Sequence, residues 1–225
     1  MIRLTGVTKA YSSSSVLTNV SFAINKGEFV YVVGDSGAGK TTLLKMLYGE
    51  EAPSRGVVEV MGQDIAKAGA GLLQQIRRRI GIIFQDLRLV DELSVYDNIA
   101  FSLEISGQDQ RKVSQKKMIE DTIQLLSLGK IAKKKVHLLS GGERQRVAAA
   151  RAVVRQPEMV IADEPTGSLD REQSWNLMDL FQKLHMRGTT IVIATHDREI
   201  VRRVRRRSCI LQSGRLVMED GICIF

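Results

Sequence analysis

The stretch Glu28-Phe29-Val30-Tyr31-Val32-Val33-Gly34-Asp35-Ser36-Gly37-Ala38-Gly39-Lys40-Thr41 decides the fold. From Glu28 to Gly34 the chain is almost wholly apolar, as in a parallel strand buried on both faces. Gly34 to Thr41 then matches G-x-x-x-x-G-K-[ST]. Thr42-Leu43-Leu44-Lys45-Met46-Leu47 follows as a helix, so the motif stands between a strand and a helix, as its function requires. Glycines let backbone N–H groups curl around phosphate oxygens without Cβ clashes. The helix N-terminus adds a favourable dipole. Lys40 supplies a mobile charge for the β- and γ-phosphates, and Thr41 offers a hydroxyl to Mg²⁺. The candidate nucleotide contacts are therefore Gly34, Asp35, Ser36, Gly37, Ala38, Gly39, Lys40, Thr41 and Thr42.

A phosphate cradle needs a carboxylate for the metal and a group that activates water. Met159-Val160-Ile161-Ala162 is a second buried-strand run, and it ends in Asp163-Glu164. That position is the carboxyl edge of a sheet, where α/β folds bind ligands. Asp163 suits the Mg²⁺ water shell, and Glu164 can polarise the attacking water.

Working outward, Thr190 to Ala194 is a third such run, so the core is a parallel sheet with helices between its strands. Met1 to Gly6 reads as a first strand. Val20, Phe22 and Ile24 alternate with Ser21, Ala23 and Asn25, the period of a half-buried antiparallel strand. Between about Leu93 and Gln156 long strand runs are missing. There Val113, Met118, Ile119, Ile123 and Leu126 recur at three- and four-residue spacings, predicting a helical insertion. The 225 residues suit one large domain or two small ones, and 44% hydrophobic residues are enough for a packed core. No stretch approaches the ~18 uninterrupted apolar residues of a spanning helix. The N-terminus lacks a signal peptide's apolar core, so a cytosolic chain is expected. Cys209 and Cys223 have no metal-ligand spacing and read as small apolar residues. A net charge of +8 favours an anionic partner, be it nucleotide, nucleic acid or membrane surface.

Four further motifs carry a family resemblance. Leu139-Ser140-Gly141-Gly142-Glu143-Arg144-Gln145-Arg146 resembles the signature sequence of ABC ATPases, Gln85 the Q-loop glutamine, Ser168-Leu169-Asp170 the D-loop and Thr195-His196-Asp197 the switch histidine. Tyr11 resembles the aromatic residue that stacks on adenine. On its own, Ser140-Gly141-Gly142-Glu143 reads equally well as a helix cap. The resemblance implies a P-loop NTPase of the α/β class: an ABC-type nucleotide-binding domain with a parallel core sheet, an N-terminal antiparallel β part and a helical insertion. It further implies a core over 1–86 and 157–225, and a helical subdomain over about 87–156. Glu164, His196 and Gln85 become the catalytic set, Thr41, Gln85 and Asp163 the Mg²⁺ set. Ser140, Gly141 and Gly142 would grip the ATP held by the opposite subunit of a head-to-tail homodimer.

Within that family, Phe84-Gln85-Asp86-Leu87-Arg88-Leu89 and Val95-Tyr96-Asp97-Asn98 are similar to the bacterial cell-division branch. Its ATPases work with an integral membrane protein of FtsX type to activate cell-wall hydrolases, from the cytoplasmic side of the inner membrane. Lipoprotein-releasing and macrolide-export ATPases are near relatives and remain the alternative. Ser168 departs from the asparagine more often found there. An ATP-switched nucleic-acid machine would explain the positive charge, but heptads and a second phosphate loop are missing, so no nucleic acid is expected. A scaffold that binds nucleotide without hydrolysing it is disfavoured because Glu164 and His196 are both present. After His196, Arg198, Arg202, Arg203, Arg205, Arg206 and Arg207 cluster around Ile200, Val201 and Val204. These arginines are expected to stay wet, either as a solvated helix face or against anionic lipid headgroups.

Overall fold

The computed structural model describes residues 1–12, 14–104 and 112–222, without side chains at 112–113 and 218–222. Cys223 and the side chain of Val113 therefore lie outside the described residues. Five strands run parallel: β3 (Phe29–Val33), β6 (Ile80–Ile83), β7 (Met159–Asp163), β8 (Thr190–Thr195) and β9 (Arg207–Gln212). Antiparallel β10 (Arg215–Ile222) joins them to give the order β10-β9-β3-β8-β7-β6. The apolar runs are explained by two-sided burial. On β3, Val30 and Val32 enter one core and Phe29, Tyr31 and Val33 the other; β8 divides the same way between Val192 and Ile193.

The first core is closed by α1 (Lys40–Leu47) and by a separate antiparallel sheet in the order β2-β1-β4-β5. That sheet comprises β1 (Ile2–Tyr11), β2 (Ser14–Ile24), β4 (Arg55–Val60) and β5 (Gln63–Asp64). The alternation of Val20, Phe22 and Ile24 is realised on β2, with Ser21 and Ala23 facing out. Helix α1 starts at Lys40, two residues before the stretch read as helical, so Lys40 and Thr41 sit in its first turn.

The short helix α2 (Ala70–Arg78) precedes β6, and among the described residues three α-helices lie between β6 and β7: α3 (Val95–Glu104), α4 (Lys112–Leu125) and α5 (Gly141–Val153). Ile119, Ile123 and Leu126 are buried in the second core, as their spacing required. The strands β7 and β8 are followed by α6 (Arg171–Met186) and α7 (Arg198–Arg203).

The basic segment meets the expectation of wet arginines only in part: Arg198, Arg202, Arg203 and Arg205 are exposed, while Arg206 and Arg207 are half-buried. Its helix is only six residues long, and Arg207 opens β9. Arg203 stacks 4.0 Å from the Trp175 ring centroid, Arg206 lies 5.5 Å from that of Phe29, and Arg207 pairs with Glu28 at 3.2 Å. Aromatic faces and a carboxylate from other elements have claimed three of the six arginines, because guanidinium planes gain from flat apolar contact that sequence spacing does not reveal.

Candidate functional site

Strand β3 delivers the chain to Gly34, and the turn that follows is stereochemically exacting. A Cβ on Gly34 would lie 2.5 Å from the Leu211 carbonyl oxygen. Gly39 has φ of 98°, a left-handed value that only glycine adopts without strain, and a Cβ there would press on Leu17 at 3.0 Å. The turn thus brings the first N–H groups of α1 to face a cleft of about 200 Å³. Val16, Ser36, Gly37, Gly39, Lys40, Thr41, Thr42, Gln85, Asp163 and Glu164 line it. Lys40 is 6% exposed, and its ammonium donates to the carbonyls of Gly34 (2.7 Å) and Asp35 (3.2 Å). Among the motif residues, Gly34 and Asp35 face an adjoining recess beside His196, while Ala38 packs behind the loop.

The two acidic residues at the end of β7 have different surroundings. Asp163 is buried, and its carboxylate accepts from the Thr41 hydroxyl while Oδ1 has no hydrogen-bond partner. Burial raises its pKa above the usual aspartate value, with the Thr41 bond opposing. Glu164 sits in a left-handed backbone conformation (φ 47°), fixed by its N–H bond to the Ala194 carbonyl at 2.9 Å. That geometry turns its carboxylate into the cleft. Oε1 lies 3.1 Å from the Lys40 ammonium and 2.9 Å from Nδ1 of His196. The backbone N–H of His196 donates to the other oxygen at 3.3 Å. Lys40, Thr41, Gln85, Asp163, Glu164 and His196, drawn from four separate strand ends, are therefore brought together.

Ser140, Gly141, Gly142 and Tyr11 do not line this cleft. Ser140 caps α5, accepting from the Glu143 N–H (3.3 Å), while the Glu143 carboxylate accepts from the Ser140 N–H (2.8 Å). That donation holds the Glu143 carboxyl below its ordinary range. The cap reading and the signature reading are thus compatible, because capping leaves the tip of α5 exposed at Ser140 and Gly141. Gly142 is packed against Leu169 and Gln173, and Ser168 donates to buried Gln145 at 3.4 Å, so the start of α5 is packed directly against the start of α6. Asp170 is the N-cap of α6. Tyr11 ends β1, 40% exposed, with the Lys9 ammonium 4.8 Å from its ring centroid.

A sequence model of the ABC transporter family matches residues 17–167. The chain belongs to the ABC transporter family. It is an ATP-binding, ATP-hydrolysing member, similar to several cell-division proteins of that family. It is 42% identical over 222 residues to the cell division ATP-binding protein FtsE of Bacillus subtilis, covering 98% of this chain and 96% of that one. The methionine import ATP-binding protein MetN of Caulobacter vibrioides is 38% identical over 225 residues, covering 99% of this chain and 67% of that protein. Among solved structures, the ATP-binding cassette MJ0796, dimeric in a post-hydrolysis state with ADP and Pi, superposes with a TM-score of 0.91. It is 31% identical, and each chain is covered fully. The α/β cassette architecture of this ABC ATPase is thereby shown.

Sequence reasoning about this ABC ATPase missed Val16, which β2 carries across to the phosphate loop. Its signal was present as one more apolar residue on an alternating strand, but nothing local distinguishes a cleft wall from a core position. Among the described residues no helix is long and apolar enough to cross a membrane.

Proposed function

We propose that this ATPase works as a homodimer, two copies closing head to tail on ATP, and drives an integral membrane partner of FtsX type in bacterial cell division. The observation that carries the dimer is the division of the site. The phosphate loop, Asp163 and Glu164 line one cleft, with His196 against Glu164 beside it, while the exposed helix tip at Ser140 and Gly141 lies outside it. A second copy supplies that tip to the γ-phosphate, its N–H groups and dipole adding to those of α1. Tyr11 stacks on adenine. The helical subdomain, residues about 87–156 between the two parts of the core, carries the motion to the partner, and the dimer sits peripherally at the cytoplasmic side of the inner membrane.

Each side chain then has a defined task. Lys40 neutralises the β- and γ-phosphate oxygens. Thr41, the orphaned Asp163 Oδ1 and Gln85 are hard oxygen donors that suit Mg²⁺, and the pairing of Asp163 with Thr41 sets two of them side by side. When bound, that ion would neutralise charge developing on the β- and γ-oxygens. Glu164 accepts the proton of the attacking water, and the 2.9 Å contact from His196 keeps its carboxylate aimed into the cleft. The left-handed φ at Glu164 is strain at a working position, sustained by the Ala194 bond.

The cell-division assignment is favoured by FtsE, of whose length this chain spans 96%. An import role is the second reading, supported by 38% identity to MetN, though about a third of MetN has no counterpart here. Glu164→Gln is expected to bind ATP and accumulate as a dimer in light scattering, with hydrolysis reduced by about 10²-fold or more. A variant that hydrolyses at the normal rate would remove Glu164 from the base role. Depleting the protein should produce filamentous, undivided cells on the cell-division reading, and a methionine-uptake defect on the other.

A further inference from the structure

Between Gln85 and Val90 the chain crosses from the core sheet to the helical insertion, and its backbone is unusually constrained. Leu87 and Arg88 are consecutive non-glycine residues with positive φ, 59° and 45°. Such a pair persists only where surrounding contacts over-determine it. Arg88 supplies most of them. Its guanidinium makes a two-pronged contact with the Glu50 carboxylate, 3.1 and 2.9 Å, just past the end of α1. The same group stacks 4.0 Å from the Phe84 ring centroid, and Phe84 meets Tyr48 edge-on at 5.8 Å. The Tyr48 hydroxyl donates to Glu50, and Lys45 of α1 approaches Glu50 at 3.6 Å.

The other side of this segment is tied to the insertion. The Arg88 carbonyl accepts from the Arg151 guanidinium of α5. Buried Asn98 of α3 bonds both the N–H (3.0 Å) and the carbonyl (2.9 Å) of Val90. Arg88 thus joins the far end of the phosphate-loop helix to α5, whose opposite end is the signature tip. Gln85 and Arg88 line the same cavity of about 430 Å³ as Thr41 and Asp163.

We propose that Arg88 is a positioning residue: clamped to Glu50, it holds the segment that presents Gln85 to the metal side of the site, and couples that placement to α5. The inference rests on the metal role of Gln85 given above. Fork geometry matters here, because a lysine at the same place would be a point charge without the planar two-pronged grip. The pair is too exposed for the fold to depend on it, with side chains 42% and 31% accessible. Its loss therefore registers in turnover.

The test is single-turnover ATP hydrolysis by the full chain in excess over nucleotide, with ATP affinity measured separately by a fluorescent analogue. Arg88→Ala, Arg88→Lys and Glu50→Gln should each slow hydrolysis, by between about tenfold and a hundredfold, at unchanged nucleotide affinity and melting temperature. Arg88→Ala added to Gln85→Ala should slow it no further, because both remove the same placement. Rates that multiply in the Gln85→Ala, Arg88→Ala double variant, or a fully active Arg88→Lys, would overturn the positioning role. A Gln85→Ala variant of normal rate would instead sink the metal role of Gln85.

Discussion

Asp163 shows most plainly, at the scale of single residues, what this site demands of the fold. Its carboxylate is buried, one oxygen is unpaired, and desolvation raises its pKa. The protonated form is therefore favoured in the folded state relative to the unfolded one, and ionisation at neutral pH destabilises the fold. That burden is relieved as pH falls through the raised pKa toward the ordinary aspartate range. Asp163→Asn keeps an acceptor for Thr41 while removing the charge. It should stabilise the protein by ~1 kcal/mol at pH 7 and abolish hydrolysis. In denaturant titrations the gap between variant and wild type should narrow toward pH 4. A gap independent of pH would mean that the carboxylate carries no burial penalty. Glu50 has the opposite sign: hydrogen bonding from Arg88 lowers its pKa, so its contribution is present above the ordinary glutamate value and fades as pH falls through the lowered one.

Single elements were legible in the sequence to different degrees. The buried strands and the phosphate loop could be read because their signals are local: continuous apolar runs, glycines at fixed offsets, and an acidic pair at a strand end. The basic segment could not, because Trp175, Phe29 and Glu28, the groups that hold Arg203, Arg206 and Arg207, lie far off in sequence. The same is true of Arg88 and Glu50, 38 residues apart. The tip of α5 was readable both as a cap and as a phosphate grip; its geometry shows the cap, which leaves Ser140 and Gly141 exposed. Ser140→Ala removes the hydroxyl that accepts from Glu143 and should cost about 1 kcal/mol, seen as a lower thermal midpoint. Ser140→Thr should keep most of the cap. An alanine variant of undiminished stability would show that the capping bond contributes nothing measurable.

The whole molecule is two sheets with two cores, carrying a complete phosphate loop and acidic pair on one edge of the larger sheet and a helix tip that lies outside their cleft. On the dimer proposed above, that division would make a single copy half of an enzyme and a two-fold symmetric pair its working form.

Complementation between two inactive variants tests the shared site directly. Lys40→Ala destroys the loop of its own copy but leaves an intact tip, and Ser140→Arg does the reverse. In a mixed dimer one site receives both defects and the other receives neither. Equal mixing should therefore restore single-turnover hydrolysis to about a quarter of the wild-type rate, given random pairing and independent sites. A mixture as inactive as its two parts would contradict a site built across two copies.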